Sequence, residues 1–137
     1  MKKTKAFAAQ VDLLRAILEW IGEDLSAWPP PLLRQIELAC EEVIVNIIHH
    51  AYRGKPELFE IDVQVFPEDR VEIRFKDVGP PFDPTQYAYQ PNTEKIGGLG
   101  IHFIRQTMNE VRYEREGDKN VLTLVKKWEI TRSSRKK

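Results

Sequence analysis

The spacing of apolar residues differs between parts of this chain, and the difference limits the folds that the chain can adopt. In the first part, apolar residues recur at alternating intervals of four and three, which places them on one face of a helix. Over residues 59–76, apolar residues alternate with polar or charged ones, as in strands with one buried and one solvated face. The chain therefore combines helices with strands.

Two helices are predicted in the first part. Helix one covers residues 7–25, with an apolar stripe made of Phe7, Val11, Leu14, Leu18, Ile21 and Leu25. The prolines at 29–31 interrupt the pattern, because proline lacks the amide hydrogen that a helix uses and disfavours helix in the residue before it. Helix two covers residues 32–52, with a stripe made of Leu33, Ile36, Cys40, Val43, Ile47 and Ala51. The segment 53–56, Arg-Gly-Lys-Pro, ends it.

Four strands in two hairpins are predicted from the alternating segments 59–65, 71–75, 111–115 and 121–125. Between the hairpins, residues 78–98 are punctuated by glycine and proline and are long for a connection, which is typical of a lid over a site. A third helix is predicted over residues 99–108. The expected fold is α+β: a two-layer sandwich with helices on one face of a largely antiparallel mixed sheet.

Length and composition narrow the class of protein. A chain of 137 residues predicts one domain, over residues 1–130, and the basic end at 131–137 is expected to be disordered. Lys plus Arg and Asp plus Glu both number 21, so no net field favours nucleic acid or anionic lipid as a partner. The single cysteine, Cys40, forms no internal disulfide, and no apolar run reaches the roughly 20 residues that span a membrane. A cytoplasmic location is expected.

A polar line runs along helix two. Glu42 and Asn46 are four residues apart, and His49 and Arg53 continue the same line on an otherwise apolar helix. The line is either the solvated side of an amphipathic helix or part of a site. Asparagine is a poor choice for a plain solvated helix face, because its side chain competes with the backbone for hydrogen bonds, whereas its amide oxygen suits Mg²⁺. Asn46 is therefore a candidate metal ligand.

Two further polar segments lie where other elements end or begin. Residues 77–81, Asp-Val-Gly-Pro-Pro, follow the second strand. They form either a plain turn or a place where the Asp77 carboxylate accepts a hydrogen bond from an exocyclic amine such as that of adenine. Residues 97–100, Gly-Gly-Leu-Gly, open the third helix. They form either a hinge or a place where backbone amides approach phosphate groups.

The order and spacing of these segments resemble the N, G1 and G2 boxes of the GHKL superfamily of ATPases, which includes histidine kinases and gyrase. The matching residues are Glu42, Asn46, Asp77, Gly79, Gly98 and Gly100. A short chain with these boxes, and with Asn-Val-Leu-Thr-Leu at residues 120–124, resembles the bacterial anti-sigma regulatory factors. These are the serine/threonine-protein kinases of partner-switching systems. The likeness covers about residues 7–127.

The resemblance implies a role for each matching residue. Asn46 would hold the Mg²⁺ that bridges the ATP phosphates. Asp77 would bind the adenine amino group, and Gly79 would let the base approach. Gly98 and Gly100 would admit the phosphates to the third helix. Glu42 would be the catalytic base that takes the proton from a serine or threonine hydroxyl of a protein substrate.

The resemblance also implies partners, namely an anti-sigma-factor antagonist as substrate and a sigma factor that the protein sequesters.

The roles of four further residues stay open. Lys95 is either a surface ion-pair residue or a contact to the terminal phosphate. Arg15 on helix one is either solvated or presented to a protein partner. Members of the family commonly pair, so a homodimer is expected. Trp20 and Trp28, which lie off the main stripe, are either satellites of the core or anchors of that interface.

The chain departs from the superfamily pattern at two places. Pro80 and Pro81 stand where many members have a second glycine, and residues 118–120, Asp-Lys-Asn, replace the usual Gly-Thr near the last strand. Two functions therefore stay open. The chain is either an ATP-dependent protein kinase, which Glu42 favours, or a module that uses ATP to bind its partner and transfers little or no phosphate.

Overall fold

A five-stranded antiparallel sheet packed against helices forms the part of the chain that the computed structural model describes, which is residues 1–53, 55–83 and 104–129. The strands are β1 (Lys2–Ala8), β2 (Leu58–Phe66), β3 (Arg70–Asp77), β4 (Glu110–Glu116) and β5 (Lys119–Lys127), in the spatial order β1-β2-β3-β5-β4. The helices are α1 (Leu14–Gly22) and α2 (Pro30–Asn46), and residues 104–107 are also helical. The predicted α+β class is confirmed, and all pairings among the described strands are antiparallel.

The alternation of residues along β3 decides which face of the sheet is buried. Val71, Ile73 and Phe75 are almost fully buried, whereas the residues between them face the other side and are half-buried. The core against this inner face is built by helix residues, among them Ile17, Ile21, Ile36, Ala39, Val43 and Ile44. Asp77 continues the inward series by the same period of two. Strand β3 therefore delivers a carboxylate into the layer between sheet and helices.

The prediction of helix one is wrong at its start. Phe7 lies in strand β1, which pairs with β2 in a register running from Lys2–Gln64 to Ala8–Leu58. Helix α1 begins only at Leu14, after a 3₁₀ turn over Val11–Leu13. Strand β1 is a lysine-rich edge strand, and its partner strand lies far along the chain, so local spacing does not reveal it. Phe7 still joins the core, but from the sheet.

Helix two has a different beginning and end from those predicted. Pro30 and Pro31 lie in the first turn of α2 and do not merely separate the helices. The first turn tolerates proline because its amide hydrogens have no partner within the helix. At the other end, the α-helix stops at Asn46 and continues as a π-helical turn over Ile47–Ala51. Single π-helical turns of this kind are often found at functional sites.

Both tryptophans in question are satellites of the core. Trp28 is 4% exposed, and its ring lies 5.0 Å from that of Trp128. Trp20 packs against the core and meets Phe7 edge to face at 5.3 Å. Trp28 is therefore buried within the described fold, whereas Trp20 is partly exposed beside the core. Among the helices of the described residues, none is long and apolar enough to cross a membrane.

Candidate functional site

A cavity of about 310 Å³ lies between the end of α2, the end of β3 and the hairpin β4–β5. Among the described residues, its apolar wall consists of Val43, Ile47, Ala51, Phe75, Pro80, Pro81, Phe82, Ile104, Val111 and Leu122. Its polar residues are fewer, with Asn46, Asp77, Tyr113 and Asn120 among them, and His50, Arg53 and Arg105 add cationic or basic side chains. An apolar wall with a few placed polar groups is typical of a small-molecule site.

Asn46 lines this cavity at the junction between the α-helix and the π-helical turn. Its side-chain oxygen Oδ1 is buried and, among the described residues, has no hydrogen-bond partner. A buried amide oxygen without a partner is costly, so such an atom is normally satisfied by something. The orphaned oxygen therefore fits a ligand that the described residues do not provide.

A single amide oxygen does not make a complete metal site. Within residues 1–53, 55–83 and 104–129, no group of three or more His, Cys, Asp or Glu side chains could hold a metal ion. Mg²⁺, however, usually keeps several waters and takes one or two protein ligands together with substrate phosphates. Asn46 thus fits a Mg²⁺ that arrives with a nucleotide.

Glu42 lies one helical turn before Asn46 and is not among the cavity-lining residues. It is half-buried, and burial raises the pKa of its carboxyl group. The neighbouring Glu41 carboxylate raises this pKa further. A carboxylate with a raised pKa is a stronger proton acceptor than an ordinary glutamate.

The polar line of helix two continues through a different histidine from the one predicted. Both histidines are exposed, but His50 lines the cavity together with Arg53, whereas His49 is not part of the wall. His50 lies four residues after Asn46, the same interval that separates Glu42 from Asn46. The His50 ring lies nearly parallel to that of Phe82 at 6.2 Å.

Asp77 is 8% exposed and directs its carboxylate into a set of hydrogen bonds. The backbone N–H of Gly79 donates to Oδ1 at 2.9 Å, and the Asn120 Nδ2 donates to the same oxygen at 3.0 Å. Gly79 also packs tightly on the π-helical turn, because an added Cβ would lie 2.7 Å from the Cβ of Ala51. Close packing against Ala51 therefore requires a glycine at this position, in addition to the predicted role of Gly79 in letting a base approach.

Sequence reasoning gave no site role to the residues that hold the loop of residues 77–82. Asn120 and Arg115 reach this loop from the hairpin β4–β5, and Tyr113 holds Asn120 through its hydroxyl. Tyr52 reaches it from the other side: its hydroxyl accepts the Val78 N–H at 3.0 Å and donates to the Leu58 carbonyl at 2.8 Å. The one sequence signal for this network was the unusual Asn120 where the superfamily has Gly-Thr.

The other predicted site residues do not line the cavity or are not described. Arg15 lies exposed on α1 and is not part of the cavity wall. Lys95, Gly98 and Gly100 lie outside the described residues, as do residues 131–137 and most of the predicted lid. Of the predicted set, Asn46 and Asp77 therefore line the cavity, Gly79 lies beside Asp77 without lining it, and Glu42 lies one helical turn from Asn46.

Residues 4–126 match the family model of the histidine kinase-like ATPase domain, so the chain belongs to this family. The match confirms the superfamily inferred from the N, G1 and G2 boxes.

Two curated relatives are protein kinases by name. The chain is 31% identical to the serine-protein kinase RsbW of Listeria monocytogenes serotype 4a (strain HCC23), over 66% of this chain and 64% of that kinase. It thus spans slightly less than two thirds of that relative's length. It is 28% identical to the serine/threonine-protein kinase BtrW of Bordetella bronchiseptica (strain ATCC BAA-588 / NCTC 13252 / RB50), over 72% of each chain.

Solved structures share the fold. The RsbU and RsbW domains of Rv1364c from Mycobacterium tuberculosis match with a TM-score of 0.66 at 14% identity, over 92% of this chain and 32% of that one. The SiaB–SiaC complex from Pseudomonas aeruginosa matches with a TM-score of 0.67 at 16% identity, over 90% of this chain and 88% of that one. At these identities the likeness shows a common fold, and it confirms the predicted histidine kinase-like ATPase architecture.

Proposed function

We propose that this protein is an ATP-dependent serine/threonine-protein kinase and anti-sigma regulatory factor of a partner-switching system. Its substrate is an anti-sigma-factor antagonist. The observation that carries the proposal is the pairing of Asn46 and Asp77: an orphaned amide oxygen and a buried carboxylate line one cavity in a histidine kinase-like ATPase domain. The kinase relatives from Listeria and Bordetella support the same activity.

Different residues of the cavity bind different parts of ATP in this proposal. Asp77 accepts the hydrogen bond of the adenine amino group, while the apolar wall contacts the base. Asn46 would hold a Mg²⁺ ion, whose charge would neutralise part of the charge on the phosphates. Gly98 and Gly100 receive the phosphates, and Lys95 contacts the terminal one.

Glu42 acts as the catalytic base in this proposal. Its carboxylate takes the proton from the acceptor hydroxyl, whose oxygen forms a bond to the γ-phosphorus of ATP. The bond between this phosphorus and the bridging oxygen breaks, and ADP leaves. The raised pKa of Glu42 suits this role, because a more basic carboxylate accepts the proton more readily. Most of the remaining catalysis is positioning and charge neutralisation.

The second candidate is a module that binds ATP and docks a partner with little or no phosphotransfer. One observation favours it: Glu42 does not line the cavity, so a substrate hydroxyl has to reach it from one helical turn away. Pro80 and Pro81 also stiffen the loop after Asp77. The kinase is preferred because the named relatives are kinases and because Glu42 stands on the helix that carries Asn46.

The partners and organisation follow from the same proposal. The protein sequesters a sigma factor in the cytoplasm when unphosphorylated antagonist is scarce, and exposed Arg15 contacts the protein partner. Residues 1–130 form one ATP-binding domain, followed by the basic tail at 131–137, and two copies form a homodimer. Sedimentation at micromolar concentration, with and without ATP, tests the pairing; a monomer in both conditions contradicts it.

Arg15→Ala should abolish partner binding and leave ATP affinity intact.

The deciding experiment combines binding with phosphotransfer. Calorimetry with Mg²⁺ should show binding of ATP in preference to GTP. ATP labelled at the γ-phosphate is then incubated with antagonist-like proteins encoded beside the gene, and label should appear on a serine or threonine of one of them. The control is the same partner with that acceptor changed to alanine. ATP binding and docking without label transfer would favour the binding module, and no nucleotide binding would contradict both functions.

A further inference from the structure

Asn120 is a buried polar side chain at the start of β5, and neither of the proposed functions gives it a role. It is 6% exposed and stands directly opposite Asp77 in the register of β3 and β5. Its Nδ2 donates to the Asp77 carboxylate at 3.0 Å and to the Pro80 carbonyl at 2.9 Å. Asn120 therefore ties the end of β3 to the loop that follows it.

The other end of the Asn120 amide is equally occupied. Its Oδ1 accepts the Tyr113 hydroxyl at 2.6 Å, the Arg115 Nη1 at 3.1 Å and the Phe82 backbone N–H at 3.3 Å. Arg115 also donates to the Gly79 carbonyl at 2.9 Å. All groups around Oδ1 are donors and the groups around Nδ2 are acceptors, so the chemistry fixes the orientation of the amide. Aspartate lacks the donor, and alanine lacks both ends.

These contacts hold one of the two oxygens of the Asp77 carboxylate by hydrogen bonds. Oδ1 accepts from the Gly79 N–H and from Asn120. In the described part of the chain, no hydrogen bond reaches Oδ2, although Asp77 lines the cavity. Two donors on one oxygen oppose rotation of the carboxylate and leave the second oxygen as an acceptor for a ligand.

We infer that Asn120 is a specificity-determining positioning residue, which orients the Asp77 carboxylate so that it selects a purine with a 6-amino group. The inference rests on the proposed function, since it assumes that ATP occupies this cavity. A carboxylate oxygen in a fixed position binds a purine with a hydrogen-bond donor at position 6 more tightly. It repels a purine with a carbonyl group there, because two oxygen acceptors would face each other. Without Asn120 the carboxylate turns, and the preference for the amine falls.

The test compares ATP with purine riboside 5′-triphosphate, which lacks only the 6-amino group. Calorimetry is done with the full chain and Mg²⁺ for the wild type, Asn120→Ala and Asn120→Asp. The wild type should prefer ATP by about tenfold to hundredfold, as expected for a hydrogen bond to a charged group. In both variants this ratio should fall to about threefold or less. Asn120→Asp keeps the size of the side chain and covers the case in which Asn120→Ala does not fold.

Asn109→Ala is the matched control. Asn109 accepts the Lys127 N–H at 2.7 Å at the far end of β5, so its loss removes a comparable side chain but should leave the ratio unchanged. If Asn120 had only a structural role, its loss would lower the affinities for ATP and for purine riboside 5′-triphosphate together and keep their ratio. That result would overturn this inference but not the proposed function. A wild type that binds neither nucleotide would overturn the proposed function as well. A wild type that binds both equally would contradict the amine selection itself.

Discussion

The two ends of strand β3 are held by different kinds of contact. At the Arg70 end, the guanidinium group bonds to Glu72 at 2.8 Å and to Asp69, and it lies 3.8 Å from the centre of the Phe66 ring. All of these partners lie within four residues of Arg70 in the sequence. The Asp69 side chain is 63% exposed, so the side-chain contacts at this end of the strand are local and partly solvated.

At the Asp77 end, the contacts come from distant parts of the chain and are buried. Asn120, which bonds to Asp77, is 43 residues further on. Tyr52 lies 26 residues before Val78, whose N–H it accepts. Such bonds form only once the sheet and α2 are in place. The cavity borders this end of the strand and not the Arg70 end.

The two kinds of contact have different effects: the ion pairs at the Arg70 end stabilise the strand locally, whereas the buried hydrogen bonds at the Asp77 end determine the geometry of the site. Exposed ion pairs between neighbours are screened by water and salt, so they contribute little and specify little beyond the turn. Buried hydrogen bonds between distant elements fix side-chain orientation, and losing one partner leaves another group unsatisfied. Substitutions at the cavity end should therefore affect binding and chemistry, whereas equivalent ones at the Arg70 end should not.

The largest effect is expected at Glu42. Glu42→Gln keeps the helix and the nucleotide but removes the proton acceptor, so phosphotransfer should fall by a factor of about 10²–10⁴. In the wild type, protonation inactivates the base, so the rate should fall as the pH drops through the Glu42 pKa. This acidic limb should lie above the usual range of a glutamate, because burial and Glu41 raise that pKa. Phosphotransfer against pH is the measurement.

Glu41→Gln is the matched control for this prediction. It removes a carboxylate that raises the Glu42 pKa, so the acidic limb should move to lower pH while the maximal rate stays the same. If Glu42→Gln phosphorylates its partner at the normal rate, Glu42 is only part of the solvated helix face, and the binding module becomes the better proposal.

The next effect is expected at Asp77. Asp77→Asn presents a donor where the adenine amine also donates, so ATP affinity should fall about tenfold to hundredfold. Asp69→Asn makes the same chemical change at the opposite end of β3, where the carboxylate is exposed, and ATP affinity should stay within about twofold of the wild type. Calorimetry on both variants measures the contrast. Equal losses would show that the two ends do not differ in function.

The sequence predicts the parts of this fold that depend on local patterns. The hairpins β2–β3 and β4–β5 are recognisable because alternation and a short turn lie within a few residues. Strand β1 is not, because it is an edge strand whose three lysines hide the alternation and whose partner is remote. Likewise, local spacing does not predict the π-helical turn at the end of α2, nor that His50, and not His49, lines the cavity.

The site divides in the same way. Asn46 and Asp77 were predicted because each has an unusual local position, an amide in an apolar helix and a carboxylate at a strand end, and because both match the N and G1 boxes of the superfamily. The role of Asn120 was not predicted, since an asparagine beside a turn has an ordinary local explanation. Only the pairing of β3 with β5 brings it opposite Asp77. Long-range side-chain networks are the part that sequence patterns leave out.

A smaller effect is expected from Tyr52→Phe. Tyr52 is 4% exposed, and its hydroxyl satisfies the Val78 N–H and the Leu58 carbonyl. Burial raises the pKa of Tyr52, so the hydroxyl stays protonated and able to donate. Losing it leaves two backbone groups without their partner and should lower the free energy of unfolding by about 1–3 kcal/mol. Urea unfolding measures this, and an unchanged midpoint would mean that solvent or a shifted loop replaces the hydroxyl.

The smallest effect is expected from Arg70→Ala, at the solvated end of β3. The side chain makes ion pairs with Asp69 and Glu72, but their separation in sequence is so short that they restrict only the turn. Water and salt already screen these charges, so the loss in thermal midpoint should be smaller than for Tyr52→Phe and should shrink further in high salt. ATP affinity should stay within about twofold of the wild type, because the cavity lies at the other end of the strand. Scanning calorimetry at two salt concentrations, with ATP titration, measures both. A loss of ATP binding in this variant would mean that strand β3 transmits the state of one end to the other, and the two ends would then have to be treated as a single unit.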